Sequence, residues 1–175
     1  MSRVLRLVGA FVVVASLGAV GFLRAAELHG RVQELREWCR ALEMLRAWVA
    51  HLRLPAAEAF QAVARTSGGV VAGSLARAGQ LLQRGGGLSA GDAWRLAFRS
   101  LRDRSFLAAE DVAVLEGFWR QFGRLDQATQ LKSFDGACES LRRCLERALE
   151  QEQQLSRLAR FSGVAAGMGV VLLLL

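Results

Sequence analysis

An all-α protein, an antiparallel bundle of about six helices flanked by N- and C-terminal transmembrane helices, is what three features of this sequence predict. Apolar residues recur at gaps of three and four along most of residues 24–160, and no stretch alternates with period two over a useful length. The lone proline, Pro55, and the glycine clusters at 68–69 and 85–87 fall between those periodic runs. Two uncharged segments, LVGAFVVVASLGAVGFL at 7–23 and FSGVAAGMGVVLLLL at 161–175, lie at the two ends.

A spanning helix needs about 20 apolar residues, with a lower limit near ~17. The first segment meets this once Val4 and Leu5 are counted and Arg6 snorkels. The second is shorter and is extended inward by Leu158 and Ala159. The expected organisation is a transmembrane anchor over 1–24, a helical bundle over 25–160 and a C-terminal transmembrane segment over 161–175. The competing reading of the first segment is a cleaved signal peptide, with Arg3 and Arg6 as its basic region and Ala-Val-Gly at 19–21 as the cleavage site. Its length, and its direct continuation into a charged helical pattern, favour retention.

Within the bundle, Leu28, Val32, Leu35, Cys39, Leu42, Leu45, Val49 and Leu52 form one face of a long helix, with Arg31, Glu34, Arg36, Glu37, Arg40 and Glu43 opposite. Pro55 suits the first position of the next helix, which runs to about Arg65 and stops at Gly68 and Gly69. A third helix covers Val71–Gln83. Ser89, with Asp92 three residues on, resembles a capping box and opens a helix to about Arg102. Another, Ala109–Phe122, should bury Val112, Leu115, Phe118 and Trp119. In the last helix Leu131, Phe134, Cys138, Leu141, Leu145, Ala148, Leu155 and Ala159 continue the spacing, broken by Glu152. The stretch FGRLDQATQLKSF at 122–134 is then a corner: Gly123 ends one helix in a left-handed conformation and Asp126 caps the next.

The net charge of +7 and pI near 11.0 raise the question of nucleic acid. The 22 arginines and single lysine are interleaved with glutamates along the helices, and no aromatic–basic motif accompanies them. A solvated surface fits better, and positive charge beside both anchors suits anionic lipid headgroups. No nucleic acid partner is expected.

The polar residues give no catalytic constellation. Three cysteines, Cys39, Cys138 and Cys144, make no even framework and read as reduced thiols packed as small hydrophobes. His29 and His51 are too far apart to share a metal. Glu110 and Asp111 open a helix, where negative charge suits the dipole, and Glu150 and Glu152 lie on a charged face. The Gly85–Gly87 run lacks the strand and Lys-Ser/Thr of a phosphate loop. Trp38, Trp48, Trp94 and Trp119 fall among apolar neighbours; Trp38 and Trp48, at the border of the first stripe, are the two expected to mark a contact surface. No enzyme, cofactor or metal site is expected.

The chain resembles the stage III sporulation protein AB family of endospore-forming bacteria along nearly its whole length. The likeness runs through LPAAEAF, SAGDAWRLAF, AAEDVAVLEGFWRQFGRLDQATQLKSF and the closing LARFSGVAAGMGVVLLLL. Its most specific part is carried by Asp111, Leu115, Gly123, Asp126 and Gln130, a motif for docking or for architecture. A small polar residue is frequent in that family at the position of Leu125, and arginine and alanine are more abundant here. The family's soluble part is similar to the cytoplasmic helical domain of the type II secretion platform protein F. The resemblance implies a non-enzymatic membrane scaffold of the channel complex between mother cell and forespore. It implies as partners a secretion-type ATPase, stage III sporulation protein AA, and the membrane and ring-forming proteins of that complex.

Orientation has its own signal. Arg24, Arg31 and Arg36 follow the first span, and Arg157 and Arg160 precede the second. The positive-inside rule then puts the bundle in the cytoplasm, although Arg3 and Arg6 pull the other way. The alternative is an external helical binding module with a cleaved signal peptide and one C-terminal anchor.

Overall fold

The computed structural model describes residues 21, 23–50, 55–123 and 126–155 with their side chains. Among the described residues six α-helices follow in order: α1 (Ser2–His51), α2 (Ala56–Thr66), α3 (Gly69–Gln83), α4 (Ala90–Arg99), α5 (Ala109–Gln121) and α6 (Gln127–Leu174), with a 3-10 turn at Arg102–Arg104 between α4 and α5. No strand occurs among the described residues.

The chain forms two units. One comprises Met1–Gly30 and Ala148–Leu175, the other Arg31–Arg147. In the first, α1 and α6 are joined by His29 Nδ1 and Glu152 Oε1 at 2.8 Å, so the residue that interrupts the apolar stripe of α6 has a polar partner. Among the described residues no helix is long and apolar enough to cross a membrane. The anchors expected at 1–24 and 161–175 fall, apart from residues 21, 23 and 24, outside the described residues.

In the second unit α1 and α6 run antiparallel. Arg46 pairs with Asp135 at 2.7 Å, and Glu43 with Arg142 at 2.5 Å, the numbers falling on one helix as they rise on the other. Gln127 at the start of α6 reaches the Val49 and Ala50 carbonyls near the end of α1. The shorter helices α2, α3 and α4 pack on one another in sequence order, and α4 packs on α5.

Aromatic rings hold the interior together. Trp94 on α4 stacks on Trp119 of α5 at 5.1 Å and meets Trp38 of α1 edge-on at 5.8 Å. Phe60 of α2 meets Trp119 at 5.4 Å, and Phe118 meets Phe134 of α6 at 4.8 Å. Each such pair contributes about 0.5–1.5 kcal/mol beyond its buried area. Trp38 is fully buried, so it is a core residue and not the contact-surface marker expected from the border of its stripe. The correction has a physical reason: α1 is covered by α4 as well as α6, which widens its buried face to include Trp38 and Ala41. Trp48 stays half-exposed beside Gln61, Arg65, Gln80 and Gln83.

Helix ends follow local chemistry, with small shifts from expectation. Pro55 stands one position earlier than expected, as the N-cap of α2, its carbonyl accepting from Glu58 and Ala59. The break after α2 is only Ser67 and Gly68; Gly69 already belongs to α3 with φ 55°. Ser89 caps α4 by accepting from the Asp92 N–H at 3.1 Å, and its hydroxyl donates to Asp92 Oδ2 at 2.6 Å. α4 ends at Arg99, three residues before the expected Arg102, because the chain tightens into the 3-10 turn.

Gly136, in the middle of α6, faces open space. Gly136→Ala is expected to stabilise the bundle by about 0.5–1 kcal/mol through helix propensity alone. Urea denaturation of the two forms measures it.

Candidate functional site: a braced helix junction and a capped corner

The first turn of α5 is fixed by α1. Arg31 Nε donates to Asp111 Oδ2 at 2.7 Å, its Nη2 donates to Asp111 Oδ1 at 2.9 Å, and Nη2 also donates to Glu110 Oε1 at 2.6 Å. Asp111 Oδ2 further accepts from the Ala108 N–H at 2.9 Å, the reach of an N3 side chain back to the N-cap amide. From α6, Arg147 donates to Glu110 Oε2 at 2.9 Å and to Cys144 Sγ at 3.3 Å. Three helices therefore meet at two carboxylates. Asp111 is fully buried, and the Arg31 side chain is 9% exposed. The paired hydrogen bonds to Asp111 hold the Arg31 guanidinium well above its ordinary pKa, against the opposing effect of burial.

One turn along α1, Glu34 holds the segment that leads into α5. Its Oε1 accepts from the Ser105 hydroxyl at 2.8 Å and its Oε2 from the Phe106 N–H at 2.8 Å. Burial pushes its carboxyl above the usual range, and these hydrogen bonds pull the other way. Arg31 and Glu34 were expected on the exposed face of α1. The structure buries both, because α5 and the segment before it cover the positions flanking the apolar stripe.

The three cysteines are free and buried. Burial pushes the Cys39 thiol up to about 11, and raises those of Cys138 and Cys144. All three are thus held as unreactive thiols. His29 is exposed, and the His51 side chain lies outside the described residues. Among the described residues no group of three or more His, Cys, Asp or Glu is placed to hold a metal ion.

The five motif residues divide between two places. Asp111 belongs to the buried network and Leu115, one turn on, to the core. Gly123, Asp126 and Gln130 lie at the corner between α5 and α6. Gly123 has φ 80°, the left-handed conformation expected of a helix stop. Asp126 Oδ2 accepts from the Thr129 N–H at 3.1 Å, the expected N-cap bond. Gln130 is half-buried and, with Gly123, Phe122, Gln127 and Val49, lines an open cleft of about 480 Å³.

The Thr129 side chain and N–H hold the Asp126 carboxyl below its ordinary pKa. A depressed carboxyl contributes stability that is present above the unfolded value, about 3.9, and lost as pH falls through the lower folded value. The Thr129 amide proton is expected to titrate with a midpoint below that of a free aspartate, and Asp126→Asn to abolish the transition, as followed by NMR.

Residues that sequence reasoning missed left one readable signal. Asp111, Leu115, Phe118 and Trp119 share a helical face, so the aspartate lies in register with the core. A carboxyl so placed needs hydrogen-bond donors or a cation inside the fold. The spacing does not say that the partner is Arg31, 80 residues away.

Braced junctions, a capped corner and buried unreactive thiols define a class: an all-α protein whose conspicuous polar residues position helices. Its family is shown by comparison. The chain matches the family described as Stage III sporulation protein AB over residues 6–175, and it belongs to that family. A solved structure titled "Stage III sporulation protein AB (SpoIIIAB)" is similar to it with TM-score 0.67 and 25% sequence identity, covering 72% of this chain and 98% of that one. A search of curated proteins finds no match.

Proposed function

We propose that the chain is a membrane-anchored, non-enzymatic scaffold of the stage III sporulation channel complex between mother cell and forespore, docking a secretion-type ATPase on its cytoplasmic side. The observation that carries the scaffold reading is the use made of Asp111. Both its oxygens are committed to Arg31 and to the Ala108 N–H, so the most buried carboxylate braces a helix junction. Family membership supplies the sporulation setting. The anchors at 1–24 and 161–175 and the cytoplasmic orientation rest on apolar length and on the arginines flanking those segments. Gly123, Asp126 and Gln130 lie at the surface beside a cleft, where they can add to a partner contact; Asp111 and Leu115 act through the fold.

Topology tests this reading. Cys39, Cys138 and Cys144 are replaced by alanine, a single cysteine is placed at exposed Lys132, and sporulating cells are treated with a membrane-impermeant thiol reagent. Protection until lysis is the expected result. Labelling in intact cells would put the bundle outside and favour an external binding module with a cleaved signal peptide.

A further inference from the structure

Counted by segment, positive charge is not spread evenly over the unit Arg31–Arg147. Residues 65–104 contain seven arginines and two aspartates, whereas the remainder of that unit holds eleven basic and eleven acidic residues. The excess therefore belongs to α3, α4, the 3-10 turn and the last turn of α2. Three of these arginines are engaged: Arg65 with the Gln61 carbonyl, Arg95 with Asp92, and Arg102 with the Leu107 carbonyl. The side chains of Arg77, Arg84, Arg99 and Arg104 are exposed and make no ion pair or hydrogen bond among the described residues.

These side chains lie on a helical hairpin. The first part of α3 abuts the residue just before the 3-10 turn, since a Cβ added to Gly73 would come 3.0 Å from Leu101 Cδ1. Arg77 stands one turn from Gly73, and Arg77 and Arg84 border an open cleft of about 350 Å³ with Gly73, Ala76, Gln80 and Leu81. The same stretch exposes Leu88, Leu96 and Phe106, at 36%, 49% and 52%. Among the described residues of this unit these are the exposed large apolar side chains.

We propose that the α3–α4 hairpin and the turn after it form a docking face for an acidic protein surface. Carboxylates of the partner enter the Arg77–Arg84 cleft and meet Arg99 and Arg104, while an apolar contact covers Leu96 and Phe106. Unpaired cations attract an oppositely charged partner and fix its register, and exposed apolar side chains, with Leu96 one turn from Arg99 on α4, supply the buried centre of such a contact. A flat anionic bilayer suits the face less well, because the cleft is concave and exposed Asp103 stands among the arginines. The identity of the partner as the ATPase rests on the preceding reading; the position of the face does not.

The test uses the full chain in nanodiscs of phosphatidylcholine and purified stage III sporulation protein AA. Arg77→Glu with Arg84→Glu, and separately Arg99→Glu with Arg104→Glu, are each expected to weaken binding at least tenfold. Arg142→Glu with Arg143→Glu changes the net charge equally on α6 and is expected to change binding less than twofold. Wild-type affinity should fall at least fivefold between 50 and 300 mM salt as screening shortens the electrostatic reach. If a reversal variant loses its helical circular dichroism, the corresponding Arg→Gln pair takes its place, with an expected weakening of threefold or more. Equal loss in the α6 control, or unchanged binding in both hairpin variants, overturns the face and leaves the ATPase reading standing. If wild type does not bind the ATPase, that reading fails, and a photo-crosslinking residue at position 96 in sporulating cells decides the face. A protein crosslink abolished by Arg99→Glu with Arg104→Glu, and kept in the α6 control, upholds it for another partner. Crosslinks to lipid alone, or to nothing, overturn it.

Discussion

Asp111→Ala is expected to cost the bundle about 3–5 kcal/mol, the range for breaking a buried ion pair by removing one partner. The substitution leaves the Arg31 guanidinium buried with Glu110 as its remaining carboxylate partner among the hydrogen bonds described above, and takes the acceptor from the Ala108 N–H. Domains of this size are stable by about 5–15 kcal/mol, so the loss consumes a large share. The cost comes from leaving a buried guanidinium without its bidentate carboxylate and not from the pair being intrinsically strong. Arg31→Met combined with Asp111→Leu should therefore recover most of the stability, because a well-packed apolar pair avoids the desolvation of both ions. Urea denaturation of the full chain in detergent, followed by the fluorescence of buried Trp38, Trp94 and Trp119, measures all three forms. A loss below about 1 kcal/mol for Asp111→Ala, the range of an exposed pair, would show that the network does not brace the junction.

Gly91→Ala is expected to be at least as damaging as ordinary overpacking, which costs about 1–3 kcal/mol. A Cβ at Gly91 would overlap the carbonyl oxygen of Trp119, a backbone atom that cannot swing aside as the end of a side chain would. The whole of α4 would have to lift from α5, separating the Trp94 and Trp119 rings stacked at 5.1 Å. Gly117→Ala is the matched control, since a Cβ there meets nothing. It should leave stability unchanged or slightly raised, while Gly91→Ala lowers the denaturation midpoint and alters near-ultraviolet circular dichroism. Equal behaviour of the two variants would show that α4 and α5 tolerate a wider spacing.

These predictions rest on features of different legibility. Helix positions could be read from period and punctuation, because Ser89, Gly123 and Asp126 do their work within three or four residues of themselves. The corner at 122–134 was legible for that reason. The clamp was not. Arg31 and Glu34 carry the same charges as the exposed Arg36 and Glu43 on their helix, and what distinguishes them is a neighbour some 70–80 residues away. Gly91 was equally silent, since a glycine near a helix start has many local uses, and only the approach of α5 selects among them. Trp38 failed for a related cause. The width of a buried stripe depends on how many elements cover it, and one helix seen alone does not give that number.

The clamp also sets an order of assembly. Arg31 leaves the ribosome 80 residues before the carboxylate that neutralises it, and Glu34 waits more than 70 for the Ser105 hydroxyl and the Phe106 amide. During that interval α2, α3 and α4 can pair with neighbours already synthesised, whereas Arg31 waits for α5 and Glu43 and Arg46 wait for α6. Closing so long a loop is costly in chain entropy and is repaid only when the distant contacts form. Synthesis interrupted before α5 thus leaves α1 without the carboxylates that brace it and without the antiparallel partner on which its far end closes.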